Sequence, residues 1–390
     1  MRITCVIGPF LPVPPALGGA VERTFLALCE EYAARGHEVT MISRRYRDFP
    51  RDETVRGVRH IRIPSFDAPK SKPLYRLLDV IYALRACQVL PQSDVTITHS
   101  VSLPLFIPKT RAGAVYVNVA RFPKGHMGFY QRADRLQPVS NAIAEAVIEQ
   151  SPAMAPRVKM IHSPLSHVFS DAIRNSRGPR EKRIVYLGRI AREKGVELAI
   201  GAFANLAEQF PDWSLEIIGP WEHNQAGDGP EYLAELKALA QGPAADRISF
   251  AGPIYSQETL VERMRGAELF VYPSLAEKGE AFGIAPLEAM ACGCATIVSG
   301  LECFQDFVRD GVNGVIFDHR ANALANMTAA CARLMSDEAE RNAFGLAAMN
   351  SARNFSPSVI ADRMLLDFAE LTAQAQPKNT RAAANAGPAT

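Results

Sequence analysis

The chain alternates short apolar runs of strand length with longer segments in which apolar residues recur every three or four positions. In the first longer segment Val21, Phe25 and Leu28 share one face, and Gly36 marks the end of the predicted helix. Strands that alternate with helices predict βα units and mostly parallel sheets. The predicted strands are residues 2–7, 37–43, 58–63, 94–99, 114–119, 157–162, 184–187, 213–219, 247–252, 267–272, 295–299 and 315–317. The predicted helices include residues 73–90, 141–150, 257–265, 322–335, 338–354 and 358–373.

The length of the chain predicts two domains, because 390 residues exceed one ordinary hydrophobic core. A polar, turn-rich stretch at residues 170–182 separates the two series of βα units and is predicted to be a linker. The first domain then covers residues 1–169 and the second covers residues 183–355. A separate helix is predicted over residues 356–375. The last residues, 376–390, are small, polar and aperiodic, which predicts a disordered tail.

The composition argues against membrane-spanning and disulfide-rich classes. No apolar segment approaches the roughly 18 residues that cross a bilayer, and the chain starts with a predicted strand and a proline-rich loop rather than a cleaved signal. We therefore expect a cytoplasmic protein. The seven cysteines lie in apolar contexts that suit buried thiols in a reducing compartment. The spacing Cys292-Gly293-Cys294 fits neither a zinc site nor a thioredoxin-type pair, so we expect no metal or redox site there.

Positive charge is concentrated in the first half of the chain, although the net charge is only +2. Residues 1–170 carry 22 Lys and Arg against 13 Asp and Glu, and the remainder carries 21 against 28. A basic patch attracts anionic lipid, phosphate or nucleic acid. We predict peripheral contact with an anionic membrane and no nucleic-acid partner; an ordinary solvated surface accounts for the charge equally well. The cluster comprises Arg44, Arg45, Arg47, Arg51, Arg56, Arg59 and Arg62.

The strongest candidate chemistry lies in residues 278–293, which read KGEAFGIAPLEAMACG. Glu280 and Glu288 are eight residues apart and follow the predicted strand 267–272. Ligands bind at the carboxyl ends of strands in open α/β sheets. Proline fits the first turn of a helix, so Pro286 is predicted to open one and to place Glu288 in its first turn. Taken alone, each glutamate is better explained without a function, Glu280 as a solvated loop charge and Glu288 as a partner of the helix dipole.

Taken as a whole, this string resembles the Glu-x7-Glu signature of retaining nucleotide-sugar glycosyltransferases with the GT-B fold, in particular family 4. Three more stretches are similar to that family: GHEVT at 36–40, GRIAREKG at 188–195 and GVNG at 311–314. The resemblance covers nearly all of residues 1–373. It implies two facing Rossmann-like domains with mostly parallel sheets, and a carboxyl-terminal helix that crosses back to the first domain.

The resemblance also implies roles for particular residues. Glu288 accepts hydrogen bonds from the ribose hydroxyls, and Glu280 holds the hexose together with backbone amides of the same loop. Arg189 and Lys194 neutralise the departing diphosphate, so no metal or other cofactor is expected besides the nucleotide-sugar co-substrate. The implied catalytic residues are Glu280, Arg189 and Lys194. The implied donor-binding residues are Gly18, Gly19, Gly188, Arg189, Lys194, Gly219, Ile254, Tyr255, Glu280, Ala281, Phe282, Gly283, Ile284 and Glu288.

The glycine pair Gly18-Gly19 at the start of the first helix is a natural anion site, because free amide groups and the helix dipole both face a ligand there. The spacing Gly-x-Gly-x-x-Gly is absent, so dinucleotide binding gains no support. Near the base, Pro220-Trp221 replaces the family's second glycine, and packing around Gly219 is expected to differ. Residues 223–230 are predicted to form a mobile loop.

The acceptor side departs from the family at the end of the strand 114–119. A histidine that contacts the donor sugar is usual there, and this chain has Asn118 and Ala120 instead. His99 and His126 match that histidine by location only. The loop after the strand carries basic residues that suit a negatively charged acceptor. The candidate acceptor-binding residues are Asn118, Arg121, Lys124, His126 and His99.

These observations together predict a retaining, metal-independent hexosyltransferase that works by front-face displacement. A UDP-hexose is the favoured donor and GDP-mannose the alternative. The acceptor is a glycan, a glycolipid or a small molecule, of the kind used in bacterial surface polysaccharide biosynthesis. A phosphorylase-like GT-B enzyme would need a lysine that anchors pyridoxal phosphate, and no such motif is visible. An alternative of another class is an inactive GT-B-like protein that binds membrane surfaces.

Overall fold

The computed structural model describes residues 1–17, 19–174 and 178–375, which form two α/β domains with one sheet each. The strands are β1 (Arg2–Val6), β2 (Glu38–Arg44), β3 (Asp52–Val55), β4 (Val58–Ile63), β5 (Val95–Thr98), β6 (Ala114–Val119), β7 (Arg135–Pro138), β8 (Glu181–Leu187), β9 (Ser214–Ile218), β10 (Ile248–Gly252), β11 (Ala267–Tyr272), β12 (Ala295–Ser299) and β13 (Val315–Phe317). The helices are α1 (Ala20–Ala34), α2 (Lys72–Val89), α3 (Leu103–Phe106), α4 (Lys109–Ala112), α5 (Asn141–Gln150), α6 (His167–Ala172), α7 (Val196–Leu206), α8 (Gly229–Leu239), α9 (Gln257–Arg265), α10 (Ile284–Ala291), α11 (Glu302–Gln305), α12 (Ala323–Ser336), α13 (Glu338–Ala352) and α14 (Pro357–Ala375).

The two sheets share a doubly wound topology. The first has the order β3-β4-β2-β1-β5-β6-β7 and is parallel except for the antiparallel pair β3–β4. The second has the order β10-β9-β8-β11-β12-β13 and is parallel throughout. In each sheet the strand order reverses beside the first strand, and such switch points hold ligands at the carboxyl ends of the strands. The predicted GT-B arrangement of two parallel-sheet domains is confirmed.

The central strands are apolar because both of their faces are covered. Every residue of β12 is buried, and so is every residue of β6. This burial explains why these strands are mainly apolar in the sequence rather than a regular alternation of apolar and polar residues.

The last helix, α14, leaves the second domain and packs on the first, as predicted. Phe368 lies edge-on to Tyr32 and Tyr116, with ring centroids 5.8 and 4.9 Å away. The buried carboxylate of Asp367 forms an ion pair with Arg135 at 2.6 Å. The apolar stripe of this helix therefore completes the core of the first domain.

The helix that carries the second signature glutamate starts earlier than predicted. Gly283, in the left-handed conformation with φ 84°, precedes α10, so the helix opens at Ile284. Pro286 is its third residue, which the first turn tolerates because the amide there has no partner within the helix. The prediction that Pro286 opens the helix was wrong, and Glu288 lies in the second turn.

Several other elements also differ from their predicted extents. The polar edge strand β3 and the helix α8 were not predicted, and the 3₁₀ helix His223–Gln225 and the start of α8 occupy part of the loop predicted at 223–230. The strand predicted at 157–162 makes only one bridge, Leu136 to Val158, beside a strand that ends at Pro138, which has no amide hydrogen to donate.

The predicted linker is shorter in the structure. The helix α6 extends to Ala172 and β8 begins at Glu181, so both elements enter the stretch 170–182. Of the residues between them, 175–177 lie outside the described residues, as does the predicted tail 376–390.

Candidate active site

Glu280 is the centre of a polar cluster in the loop after β11. Its carboxylate accepts hydrogen bonds from Lys194 Nζ at 2.6 Å, from the hydroxyl of Tyr272 at 3.2 Å and from Ser274 Oγ at 3.3 Å. The side chains of Lys194 and Glu280 are 5% and 12% exposed. Burial raises the pKa of Tyr272, so its phenol stays protonated and donates. The signature glutamate is therefore held in one orientation by three donors.

Lys194 and Arg189 lie in the loop after β8, at different depths. Lys194 ends the 3₁₀ helix Arg192–Lys194, and Gly195 follows it against the loop after β11. A Cβ atom on Gly195 would lie 2.2 Å from the carbonyl oxygen of Pro273, so this close approach of two loops requires glycine. Arg189 is 36% exposed and bonds to Glu193 at 2.7 Å. One cation therefore lines the interior and the other lies at the opening.

Two glycines predicted to bind the donor lie at neighbouring strand ends. The amide of Gly188 donates to the carbonyl of Ile218 at 3.0 Å, and the amide of Gly219 donates to the carbonyl of Gly252 at the same distance. The loops after β8, β9 and β10 therefore converge at one edge of the second sheet.

Glu288 lies on α10 and differs from Glu280 in having no partner. Its side chain is buried, and among the described residues it makes no hydrogen bond or ion pair. Burial raises its pKa to about 7, and the positive charge of Arg23 on α1 partly offsets that effect. A buried carboxylate without donors is costly, so this position suits a ligand that supplies them.

The loop between the two glutamates is held by the first domain. The carbonyl oxygen of Ala281 accepts a hydrogen bond from Ser140 Oγ at 2.6 Å. The ring of Phe282 packs on His162 and Phe355, with centroids 5.6 and 6.1 Å away. Ser140 and His162 were not among the predicted site residues. Ser140 could have been recognised as the N-cap of the predicted helix 141–150, but its contact across the domains has no signal in sequence.

Ile254 and Tyr255 line a cavity of about 410 Å³ between the two domains. The facing wall includes Arg23 and Leu26 of α1. Tyr255 is exposed, and its hydroxyl donates to Gln225 at 2.8 Å. The structure thus brings Ile254 and Tyr255, which the resemblance implies as donor-binding residues, next to α1 of the first domain.

The glycine pair before α1 is accompanied by a carboxylate that sequence reasoning missed. Gly18 lies outside the described residues. Gly19 is the N-cap of α1, and the buried carboxylate of Glu22 lies directly against it. Burial raises the pKa of Glu22, while Arg121 and Arg23 lower it. An anionic ligand at this helix start would therefore meet Glu22 as well as free amides.

Of the acceptor candidates, Asn118 is buried inside the first domain and His99 is half-buried in it. Asn118 is buried in β6, where its Nδ2 donates to Gln137 Oε1 at 2.7 Å. His99 follows β5, accepts weakly from the amide of Gly8 at 3.4 Å and stacks on Phe25. Burial lowers the pKa of His99 to about 4, so it is neutral at pH 7.

The remaining acceptor candidates divide into two groups. Arg121 is exposed, and its positive charge acts on His99 and Glu22. Lys124 is exposed near His126, whose ring lies edge-on to Tyr130 and whose pKa is lowered by burial. Arg121 is therefore a basic neighbour of His99, and Lys124 is a basic neighbour of His126.

The arginine cluster does not form one exposed patch. Arg44 is buried and donates to the carbonyl of Phe10, and Arg62 is buried beside Glu53. Arg59 and Arg56 form ion pairs with acidic neighbours. The exposed arginines of the cluster that have no such ion pair among the described residues are Arg45, Arg47 and Arg51.

Within the described ranges, no three His, Cys, Asp or Glu side chains are grouped as metal ligands would be. The absence of a metal in the reaction stays a prediction. In the same part of the chain, no helix has the length and apolar character needed to span a bilayer.

Comparisons with known families agree with the geometry. Residues 170–351 match the family described as glycosyl transferases group 1, and residues 19–164 match the glycosyl transferase 4-like domain. This chain belongs to the family 4 type of GT-B glycosyltransferases.

This chain matches individual relatives over only part of their length. The phosphatidyl-myo-inositol mannosyltransferase of Mycobacterium tuberculosis is 29% identical over 205 residues, which are 50% of each chain. The D-inositol 3-phosphate glycosyltransferase of Rhodococcus opacus is 32% identical over 207 residues, which are 51% of this chain and 43% of the relative. The chain thus spans about half the length of the curated relatives that it matches.

A solved structure supports the fold over the whole described chain. Sucrose-phosphate synthase from Thermosynechococcus elongatus superposes with a TM-score of 0.73 over 96% of this chain and 100% of that chain. The two sequences are 20% identical, so this likeness concerns the fold alone.

Proposed function

We propose that this protein transfers a hexose from a nucleotide sugar to a glycan, glycolipid or small-molecule acceptor, with retention of the anomeric configuration and without a metal. The observation that carries the proposal is the arrangement of the signature glutamates. Glu280 is fixed by Lys194 at 2.6 Å, and Glu288 is buried beside the same cleft without a donor. A site with one satisfied and one unsatisfied carboxylate suits a ligand that brings its own hydroxyls.

Glu288 binds the ribose in this proposal. Two ribose hydroxyls donate to its carboxylate and relieve the cost of its burial. Arg23, whose charge acts on Glu288, also lines the cavity that contains Ile254 and Tyr255, which supports a base-binding role for that cavity. The donor's nucleoside is therefore held at the interface between α10 and the loop after β10.

Arg189 and Lys194 hold the diphosphate. The bond between the anomeric carbon and the phosphate oxygen breaks during transfer, and negative charge grows on the leaving group. Two cations fixed by their own contacts stabilise that charge without reorganising. Lys194 is already oriented by Glu280, so one contact serves both the sugar and the phosphate sides of the site.

Retention follows from front-face displacement. The acceptor oxygen forms its bond to the anomeric carbon on the face that the phosphate leaves, and the leaving phosphate oxygen takes the acceptor's proton. Glu280 is engaged with three donors and acts here as a holder of the sugar rather than as a base. The chemistry is then mainly positioning and charge stabilisation.

A UDP-hexose is the first proposed donor and GDP-mannose the second. The name of the mycobacterial relative, a mannosyltransferase, favours the second sugar. Thermal melting with UDP, UDP-glucose, GDP and GDP-mannose separates the two. Either the uridine or the guanosine ligands are expected to raise the melting temperature, because a ligand that binds only the folded state stabilises it. The transferase proposal fails if no UDP- or GDP-sugar stabilises the protein or is hydrolysed.

Membrane contact is the second candidate, and a surface of the first domain favours it. Basic side chains are exposed on α2 at Lys72 and Arg76. Exposed apolar side chains on α2, on α3 and in the 3₁₀ helix Met127–Phe129 are Leu74, Leu77, Leu105, Phe106 and Phe129. Apolar and basic groups together suit an anionic bilayer surface. We propose peripheral attachment at the cytoplasmic face of a membrane, where a glycolipid acceptor is available.

Flotation with phosphatidylglycerol vesicles tests this surface. Leu77→Asp and Phe129→Asp are expected to reduce the bound fraction, and the matched control Leu346→Asp, exposed on α13 of the second domain, to leave it unchanged. Replacing both Arg45 and Arg47 by glutamine is expected to have a smaller effect at low salt. Equal binding by all variants would contradict membrane contact, and vesicle binding without any nucleotide binding would favour the inactive membrane-surface protein.

A further inference from the structure

Ser140 connects the first domain to the loop that carries Glu280. It immediately precedes α5 and is fully buried. Its Oγ accepts from the amide of Ile143 at 3.3 Å as the helix N-cap and donates to the carbonyl of Ala281 at 2.6 Å. One hydroxyl therefore serves both a helix start in the first domain and a loop of the second domain.

Neighbouring contacts keep the two partners in place. The backbone amide of Asn141 donates to Asp306 Oδ2 at 2.9 Å, and its side-chain amide donates to Oδ1 at 2.7 Å. His162 lies 3.5 Å from the same carboxylate and packs on Phe282. The start of α5 is thus bound to the second domain at several points, so the contact made by Ser140 is part of a built interface.

The hydrogen bond to the Ala281 carbonyl also constrains the neighbouring amide group. A peptide unit is planar and trans, so its carbonyl and the next amide point in opposite directions. Holding the Ala281 oxygen therefore sets the direction of the Phe282 amide, one of the groups expected to bind the hexose. On the other side, the amide of Glu280 donates to the carbonyl of Ala276 at 3.0 Å. The backbone around Glu280 is anchored once by its own domain and once by the first domain.

We propose that Ser140 is a positioning residue for the sugar portion of the donor. Through its hydroxyl, the acceptor-binding domain sets the orientation of the backbone that holds the hexose, whereas the proposed nucleotide contacts of Glu288, Arg189 and Lys194 do not involve Ser140. This inference rests on the proposed function, because it concerns how the nucleotide sugar is bound. It predicts that loss of the hydroxyl separates affinity for the sugar from affinity for the nucleotide.

Calorimetric titration of the whole protein tests the proposal with two probe pairs, UDP with UDP-glucose and GDP with GDP-mannose. The variants are Ser140→Ala and Ser140→Gly. Glycine at an N-cap destabilises a helix much less than alanine does, so the second variant carries the test if the first does not fold. The matched control is Asp337→Ala, which removes the N-cap of α13, where Asp337 Oδ1 accepts from the amide of Glu340 at 2.8 Å.

Both Ser140 variants are expected to bind the nucleoside diphosphate within about twofold of wild type and to lose about tenfold in affinity for the matching nucleotide sugar. The control is expected to keep both affinities. Equal losses for nucleotide and nucleotide sugar, or no loss for either, overturn the positioning role while the proposed function stands. If wild-type protein binds neither pair, the proposed function fails and this inference fails with it.

Discussion

The proposed donor side and the proposed acceptor side of the cleft are built differently. On the donor side, the loop 280–283 is fixed through a side chain, a carbonyl and a ring: Glu280 by Lys194, Ala281 by Ser140, and Phe282 by its aromatic neighbours. On the acceptor side, Asn118 is hydrogen-bonded to Gln137 inside the sheet, and Arg121 and Lys124 are exposed. The proposed donor side is therefore held by more contacts in the ligand-free protein than the proposed acceptor side.

This difference follows from what each half must recognise. A nucleotide sugar has fixed charges and hydroxyls, so a rigid set of partners at strand ends can be complementary to it in advance. Acceptors vary within a fold, and the loops that bind them vary as well. We therefore expect substitutions on the donor side to lower the rate and substitutions on the acceptor side to change acceptor affinity.

The largest effect is expected for Glu280→Gln. The amide cannot form the ion pair with Lys194 and holds the hexose less firmly, so the transfer rate should fall by a factor of about 100 to 1,000. Initial rates of nucleoside diphosphate release measure it. The control Glu208→Gln, at an exposed position, should keep the wild-type rate. Unchanged turnover in Glu280→Gln would refute this site even if the activity itself were real.

A pH-dependent stability is expected from Glu288. Burial raises its pKa from the ordinary 4.5 to about 7, so the stability that it contributes is fully present below pH 4.5 and is lost as the pH rises through 7. The shift corresponds to at most about 3 kcal/mol. Glu288→Gln should therefore gain stability relative to wild type between pH 5 and pH 8.

Urea unfolding of ligand-free protein at several pH values measures this difference. A constant difference in unfolding free energy between Glu288→Gln and wild type would contradict the raised pKa. A bound nucleotide should reduce the pH dependence, because ribose hydroxyls that donate to the carboxylate favour its ionised form.

A smaller effect is expected for the basic loop of the acceptor side. Replacing Arg121 and Lys124 together by alanine should raise the KM for an anionic acceptor by about tenfold, since each exposed charge pair contributes about 1 kcal/mol or less. The thermal shift produced by the nucleotide should not change. A fall in nucleotide affinity instead would place these residues on the donor side and remove the contrast between the two halves.

The smallest effect is expected for Asn118→Ala. The variant loses the hydrogen bond to Gln137 and should unfold about 1 kcal/mol more easily, with an unchanged kcat. Denaturant unfolding and steady-state rates measure the two quantities. A lower kcat at unchanged stability would mean that Asn118 takes the place of the family's histidine after all.

Prediction from sequence succeeded where the signal was local. Parallel strands such as β11 and β12 were predicted with the bounds that they have, because buried strands are short and mainly apolar runs. Prediction failed for the polar strand β3, whose pairing with β4 has no apolar pattern, and for the start of α10, where Gly283 rather than Pro286 sets the boundary. The pairing of β3 with β4 and the left-handed backbone of Gly283 decided these boundaries, and neither is evident from composition.

The sequence by itself determined the family, the two-domain α/β fold and the types of residue on the donor side, because a motif keeps its chemistry within a few consecutive residues. Tertiary structure alone decided what those residues contact. Lys194 meets Glu280 only because the loops after β8 and β11 lie side by side, and Ser140 meets Ala281 only because the two domains pack together. Burial decided the rest, since the pKa of Glu288 and the role of Asn118 depend on neighbours that are distant in sequence.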